Sequence, residues 1–196
     1  DLTGDGRAEL IVRTPNRQAQ VVALDSDNRP KTLYSVPFDA ATPGGRLSVP
    51  ARDVTGDGHP NLLGTGHTAT DRLCVRLYWA DGRPVWESPL PMPGSGKISK
   101  WIVGDFFGPR RPGVFISAQQ GLAREESYML RGSDGQIVWT GLPQSTPNGT
   151  RACNPVGIPT AFDVDGDGAE DVMLDYRDFV AVHRGLDGSL IRPITA

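Results

Sequence analysis

Asp163-Val164-Asp165-Gly166-Asp167-Gly168-Ala169-Glu170-Asp171-Val172 places five carboxylates within ten residues. Asp1-Leu2-Thr3-Gly4-Asp5-Gly6-Arg7-Ala8-Glu9-Leu10 and Asp53-Val54-Thr55-Gly56-Asp57-Gly58-His59-Pro60-Asn61-Leu62 repeat its pattern. A degraded copy falls between them: Asp105-Phe106-Phe107-Gly108-Pro109-Arg110-Arg111-Pro112-Gly113-Val114. The four starts lie 52, 52 and 58 residues apart. Self-similarity at such a period marks a repeat architecture.

A second motif recurs in step. Asp27-Asn28, Asp81-Gly82, Asp134-Gly135 and Asp187-Gly188 each sit between two short apolar runs, 54, 53 and 53 residues apart. Such pairs favour hairpins because tight primed turns need positive φ. Each repeat then offers four strands. The first ends at the Asp loop, the second follows it, and the third and fourth flank the Asp-Gly turn. No stretch carries helical periodicity. Four short strands per repeat predict an all-β fold, a β-propeller of four-stranded antiparallel blades. The repeats run over about 1–46, 47–98, 99–156 and 157–196, as one propeller domain or propeller segment. The first repeat opens at its Asp loop, so its blade lacks a first strand. An open sheet edge is normally covered, so upstream residues or another subunit are expected to complete it. The chain does not begin with Met, and Asp1 is not expected to be a native start.

Composition agrees with a turn-rich chain. Of 196 residues, 24 are Gly and 17 are Pro, which argues against long helices. A net charge of −3 gives no electrostatic footprint for nucleic acid. No apolar run approaches the length of a membrane-spanning helix.

The Asp loops carry the chemistry. In the last copy, side-chain oxygens stand at positions 1, 3, 5 and 9 (Asp163, Asp165, Asp167 and Asp171), with the Ala169 carbonyl at position 7. Calcium takes six to eight hard oxygen ligands, some from carbonyls and water. Carboxylates packed this closely repel one another without a cation. The first copy offers Asp1, Thr3, Asp5, Glu9 and the Arg7 carbonyl. The second offers Asp53, Thr55, Asp57, Asn61 and the His59 carbonyl. About three calcium sites are expected, the Asp163 loop the strongest. None is expected at the Asp105 loop, whose positions 3, 5 and 9 are Phe107, Pro109 and Gly113. An EF-hand is excluded: its twelfth position needs Glu, and Leu174, Gly64 and Val12 stand there. The other reading is a loop curled only by its own Asx-type hydrogen bonds.

The pattern D-x-[DT]-G-D-G-x-x-[DEN] before a strand, four times over nearly the whole chain, resembles the FG-GAP/VCBS repeats of integrin-α-type β-propellers. The resemblance implies structural calcium in the loop between strands one and two. It also implies an extracellular or cell-surface setting. Propellers of that family usually have seven or eight blades. Four repeats are then part of a larger ring, or four blades that close with help.

Strand polarity places the strand two–three loops and the inter-blade loops on the face opposite the Asp loops. By resemblance that face engages partners. It carries residues 65–71, 118–126 and 141–155. Asn148-Gly149-Thr150 is a candidate glycosylation site. Cys74 and Cys153 are a candidate disulfide of a secreted chain; two buried thiols are the alternative. Trp86 and Trp139 hold equivalent places after the turn, which favours packing between blades over sugar stacking. His59, His67 and His183 have no visible triad partner. The leading expectation is a non-catalytic calcium-binding propeller for adhesion, with a protein or glycan partner. The alternative is a structural subunit completed by copies of itself. A polysaccharide-lyase-type enzyme is the third reading.

Overall fold

Asn28, Gly82, Gly135 and Gly188 have φ of 58°, 86°, 71° and 74°. The four expected turns therefore form at the expected places, in the left-handed region that Asn and Gly tolerate. These values come from a computed structural model, which describes Leu2 and residues 6–14, 19–36, 46–48, 52–93, 95–120, 124–141, 155–176 and 179–195. Asp1, Thr3, Asp5, Asn148 and Cys153 lie outside the described residues, so the expectations for them go untested.

The described residues form fifteen strands and no helix. Sheet I is β1 (Leu10–Arg13), β2 (Ala19–Leu24) and β3 (Pro30–Val36). Sheet II is β4 (Arg46–Ser48), β5 (Asn61–His67), β6 (Arg72–Trp79) and β7 (Pro84–Pro93). Sheet III is β8 (Lys97–Gly104), β9 (Gly113–Gln120), β10 (Arg124–Arg131) and β11 (Ile137–Thr140). Sheet IV is β12 (Thr160–Phe162), β13 (Asp171–Tyr176), β14 (Phe179–His183) and β15 (Leu190–Thr195). Every sheet is an antiparallel meander in chain order, and sheet I has three strands. The chain divides into two compact units, Asp1–Ser95 and Gly96–Ala196.

One irregularity recurs in all four sheets. The register between the third and fourth strands shifts at Val21/Val22, Leu77/Tyr78, Met129/Leu130 and Val182/His183. Each shift leaves one extra residue on the fourth strand: Leu33, Val85, Val138 and Ile191. A bulge re-aims the side chain beside it. That next residue is Tyr34, Trp86 or Trp139 in the first three sheets.

Trp139 does the packing between sheets expected of it, and Tyr34, for which none was expected, does the same in the first unit. In the first unit, a Cβ on Gly82 would sit 3.2 Å from the Tyr34 ring. In the second, a Cβ on Gly188 would sit 3.0 Å from Trp139, whose indole N–H donates to the Gly185 carbonyl at 2.7 Å. The aromatic of one sheet thus lies on the glycine turn of the next. Each unit buries its own core between two sheets. Leu2, Val21, Leu62 and Tyr78 pack together in the first. Phe106, Phe115, Met129, Val172, Leu174 and Phe179 do so in the second.

Strand β7 shows how a proline-rich run enters a sheet. Pro89, Pro91 and Pro93 are exposed, while Leu90 and Met92 between them are buried. The strand lies at the edge of sheet II, where a missing N–H is tolerated.

Tyr34 gives a test of this packing. Its hydroxyl is buried without a hydrogen-bond partner among the described residues. Burial first, then the charges of Glu9 and Asp81, push its pKa up to about 12. Replacing a buried, unsatisfied hydroxyl by hydrogen removes a desolvation cost. Tyr34→Phe is expected to leave the melting temperature unchanged or raise it. Tyr34→Ala uncovers the Gly82 turn and is expected to cost about 2–4 kcal/mol in chemical denaturation.

Candidate metal centre

Asp163 and Asp53, the first aspartates of their loops, gather backbone donors. Asp163 accepts the Gly166 N–H on Oδ1 at 2.7 Å and the Gly168 N–H on Oδ2 at 3.0 Å. Asp53 accepts Gly56 N–H on Oδ1 and Gly58 N–H on Oδ2, both at 2.6 Å. Gly166 and Gly168 have φ of 80° and 87°, and Gly56 and Gly58 have 85° and 91°. Non-glycine residues rarely adopt such a conformation, which explains why the motif spends a glycine after each aspartate pair.

The ninth residue closes the loop from its far end. Val164 N–H donates to Asp171 Oδ2 at 3.0 Å. Val54 N–H donates to Asn61 Oδ1 at 2.7 Å, and Leu2 N–H to Glu9 Oε2 at 2.5 Å. Asp, Asn and Glu are interchangeable there because each offers one oxygen to the second residue's N–H. The Asx-turn reading is therefore realised at these positions, and it does not compete with ligation. A carboxylate oxygen that accepts an N–H keeps lone pairs for a cation.

Position 3 separates the Asp163 and Asp53 loops, while position 5 is an aspartate in both. In the Asp163 loop, carboxylate oxygens of Asp163, Asp165 and Asp171 lie within 4.8 Å of one another. This trio is the one metal-competent carboxylate group among the described residues. Asp167 stands outside it, its Oδ1 accepting the Ala169 N–H at 2.8 Å. The Asp53 loop has Thr55 at position 3, whose hydroxyl donates to Asp53 at 3.2 Å. Its Asp57 accepts the His59 N–H at 3.0 Å. Of the Asp1 loop, Arg7 and Glu9 are described, with Arg7 exposed and Glu9 half-buried.

The donor set fits a hard divalent cation. Asp171 is 2% exposed. Burial first, then the Asp165 and Asp167 charges, hold its carboxyl above the usual carboxylate range. A divalent ion beside it would reverse both effects. Asp165 is held below that range, chiefly by hydrogen bonds from Arg184. The Arg184 guanidinium reaches Asp165 Oδ2 at 2.8 Å from Nη2 and 3.1 Å from Nε. A cation-bearing group thus already stands at the site. Asp163, Asp165 and Asp171, with Asp167 and the Ala169 carbonyl, are the residues that would hold calcium.

Two participants were invisible to motif reading. Arg184 lies nineteen residues past Asp165, and its partner follows only from the hairpin's position. Glu170 was passed over at position 8. Its Oε2 accepts the Asp105 N–H at 2.6 Å, and its own N–H donates to the Asp105 carbonyl at 3.1 Å. The degraded loop is thereby tied to the intact one. Its Phe106 is fully buried in the core of the second unit. Cβ atoms on Gly104 or Gly185 would collide with Glu170, so both glycines permit this close approach.

Cys74 is fully buried in β6. His67 is buried with neither ring nitrogen partnered among the described residues. Burial lowers the pKa of His183, whose Nδ1 lies 3.2 Å from the Gly188 carbonyl. Both histidines sit inside sheets, in β5 and β14.

No family profile and no curated protein matches the chain. Solved structures do resemble it. It aligns over 99% of its length with 55% of BBS1N, solved in complex with ARL6DN, at TM-score 0.59 and 14% identity. It aligns over all of its length with 50% of the Bacillus licheniformis rhamnogalacturonan lyase PL11, at TM-score 0.61 and 15% identity. The fold is all-β and β-propeller-like, with four antiparallel sheets. The chain spans about half the length of these structures.

Asn61 supplies the comparison for a test. It is the natural neutral occupant of position 9 and keeps the loop-closing bond. Asp171→Asn is expected to preserve the Val164 contact while removing a buried charge. In excess chelator its melting temperature is expected to rise above that of the parent. In calcium the order is expected to invert, with at least tenfold weaker calcium binding by calorimetric titration.

Proposed function

We propose that the chain is a calcium-stabilised segment of an extracellular β-propeller of the FG-GAP/VCBS kind, which binds a protein or glycan without catalysis. The Asp163, Asp165 and Asp171 constellation carries the reading. It sits between the first and second strands of its sheet, where calcium lies in the family the sequence resembles. The described polar groups support a structural role for the metal. The carboxylates of the loop are engaged with backbone N–H groups that shape it, which leaves no evident acid–base pair. The opposite face, with residues 65–71 and 118–126, is where a partner is expected. The likeness to half of each longer structure supports a segment that larger assembly completes.

A ligand that binds only the folded state stabilises it by roughly 2.7 kcal/mol at a hundredfold excess over Kd. Calcium is therefore expected to raise the melting temperature by several degrees over chelator. Asp163→Ala is expected to abolish most of that rise. Identical melting in calcium and chelator overturns the proposal. Calcium-dependent cleavage of an acidic polysaccharide overturns its non-catalytic part.

A structural-subunit reading has one observation of its own. Val156, Ile158, Phe162 and Val164 are 59%, 83%, 42% and 41% exposed. Phe162 lies in β12, and the other three lie in its flanks. Leu10 and Val12 of β1 are likewise exposed, at 59% and 42%. Exposed apolar stripes on blade-type sheets suit further sheets of the same kind. If copies supply them, sedimentation finds a multiple of the chain mass, and Ile158→Asp returns it to monomer.

A further inference from the structure

The Asp-Gly hairpins bring one residue of each sheet to the same structural place. Asp25, Trp79, Arg131 and Arg184 each donate their backbone N–H to close the hairpin, to Arg29, Arg83, Gln136 and Ser189 carbonyls at 2.8–2.9 Å. What stands there differs between the sheets, and so does the partner of the two arginines. In the first two sheets the place holds Asp25 and Trp79, neither of them a cation. The loop with Phe107 belongs with Arg131, which turns back to Asp134 of its own hairpin at 2.9 Å. The loop with Asp165 belongs with Arg184, which reaches across to that carboxylate at 2.8 Å.

We infer that Arg184 is an internal counter-cation of the Asp163 loop, which holds Asp165 while the loop carries no metal and sets the calcium affinity by competing for that carboxylate. The inference rests on the calcium reading of this loop. The chemistry is a competition between two cations for Asp165 Oδ2. Both guanidinium donors, Nε and Nη2, converge on that oxygen. A calcium ion coordinating it displaces them. Arg184 then has a second carboxylate at hand. Asp187 follows it by three residues, the spacing of the Arg131–Asp134 pair in sheet III. The swap leaves neither the arginine nor the loop with an uncompensated charge. The pair is partly solvated, with side-chain exposures of 47% and 20%, so its strength falls with salt.

The test is calorimetric calcium titration of the whole chain at low ionic strength. The heat component lost in Asp163→Ala identifies this loop against the others. Arg184→Gln is expected to tighten that component about three- to fivefold, the scale of an exposed ion pair. It is also expected to lower the melting temperature in chelator. In an Asp165→Asn background the same change is expected to leave affinity unaltered, since the pair is already broken. Arg184→Lys, which keeps a charge but loses the fork, is expected to fall between. Unchanged or weaker binding in Arg184→Gln overturns the inference while the calcium reading stands. If the parent shows no calcium component that Asp163→Ala removes, the calcium reading falls and takes the inference with it.

Discussion

A four-stranded antiparallel sheet cannot bury an apolar face against itself. That constraint organises this chain. Each sheet carries buried residues from its inner strands, such as Leu62 and Tyr78 in sheet II or Val172 and Leu174 in sheet IV. They are buried because another sheet lies against them. Burial of this kind is worth about 1.5–3 kcal/mol for each large side chain. The repeat period follows from it, since one period must contain everything needed to make a sheet and lay it on the next. The recurring bulge belongs to the same requirement. In sheets I and III it is where the repeat's last strand turns its aromatic toward the glycine turn of the next sheet.

The Asp loops sit at the end of this arrangement, and their carboxylates have two roles. Asp163 and Asp53 curl the chain by accepting N–H groups from glycines in left-handed conformation. Asp171, Asn61 and Glu9 anchor the loop by accepting the N–H of the second residue. The carboxylate at position 3 accepts one loop N–H, from Asp167 at 3.3 Å, and adds charge beside Asp163 and Asp171. Asp165 is therefore the informative residue, and the arginine beside it answers that charge. The degraded Asp105 loop shows the converse. With no carboxylate at positions 3, 5 and 9, it places Phe106 in the core and borrows Glu170 from the next repeat.

Much of the architecture was legible in the sequence, and much of the site was not. Asp-Gly and Asp-Asn pairs announced four hairpins because few other residues accept positive φ at two-residue turns. Spacing alone placed Trp139 against a neighbouring sheet. Positions 1 and 9 of the loops were read as ligands on oxygen count. Their hydrogen bonds to Gly166, Gly168 and Val164 were hidden, because a motif records residue types and not which N–H points inward. Arg184 was hidden for a stronger reason. Its partner lies on another hairpin, and no local rule links the two.

The sequence by itself determined the repeat, the strand order within each sheet, the turns, and the loop where carboxylates concentrate. All of these depend on interactions between residues close along the chain, where backbone geometry leaves few choices. Only the tertiary structure decided which carboxylates converge, that Asp167 stands apart from the trio, that Glu170 ties the degraded loop to the intact one, and that Arg184 faces Asp165. Those are contacts between strands and between sheets. Their geometry depends on register, bulge and packing, which local composition does not encode.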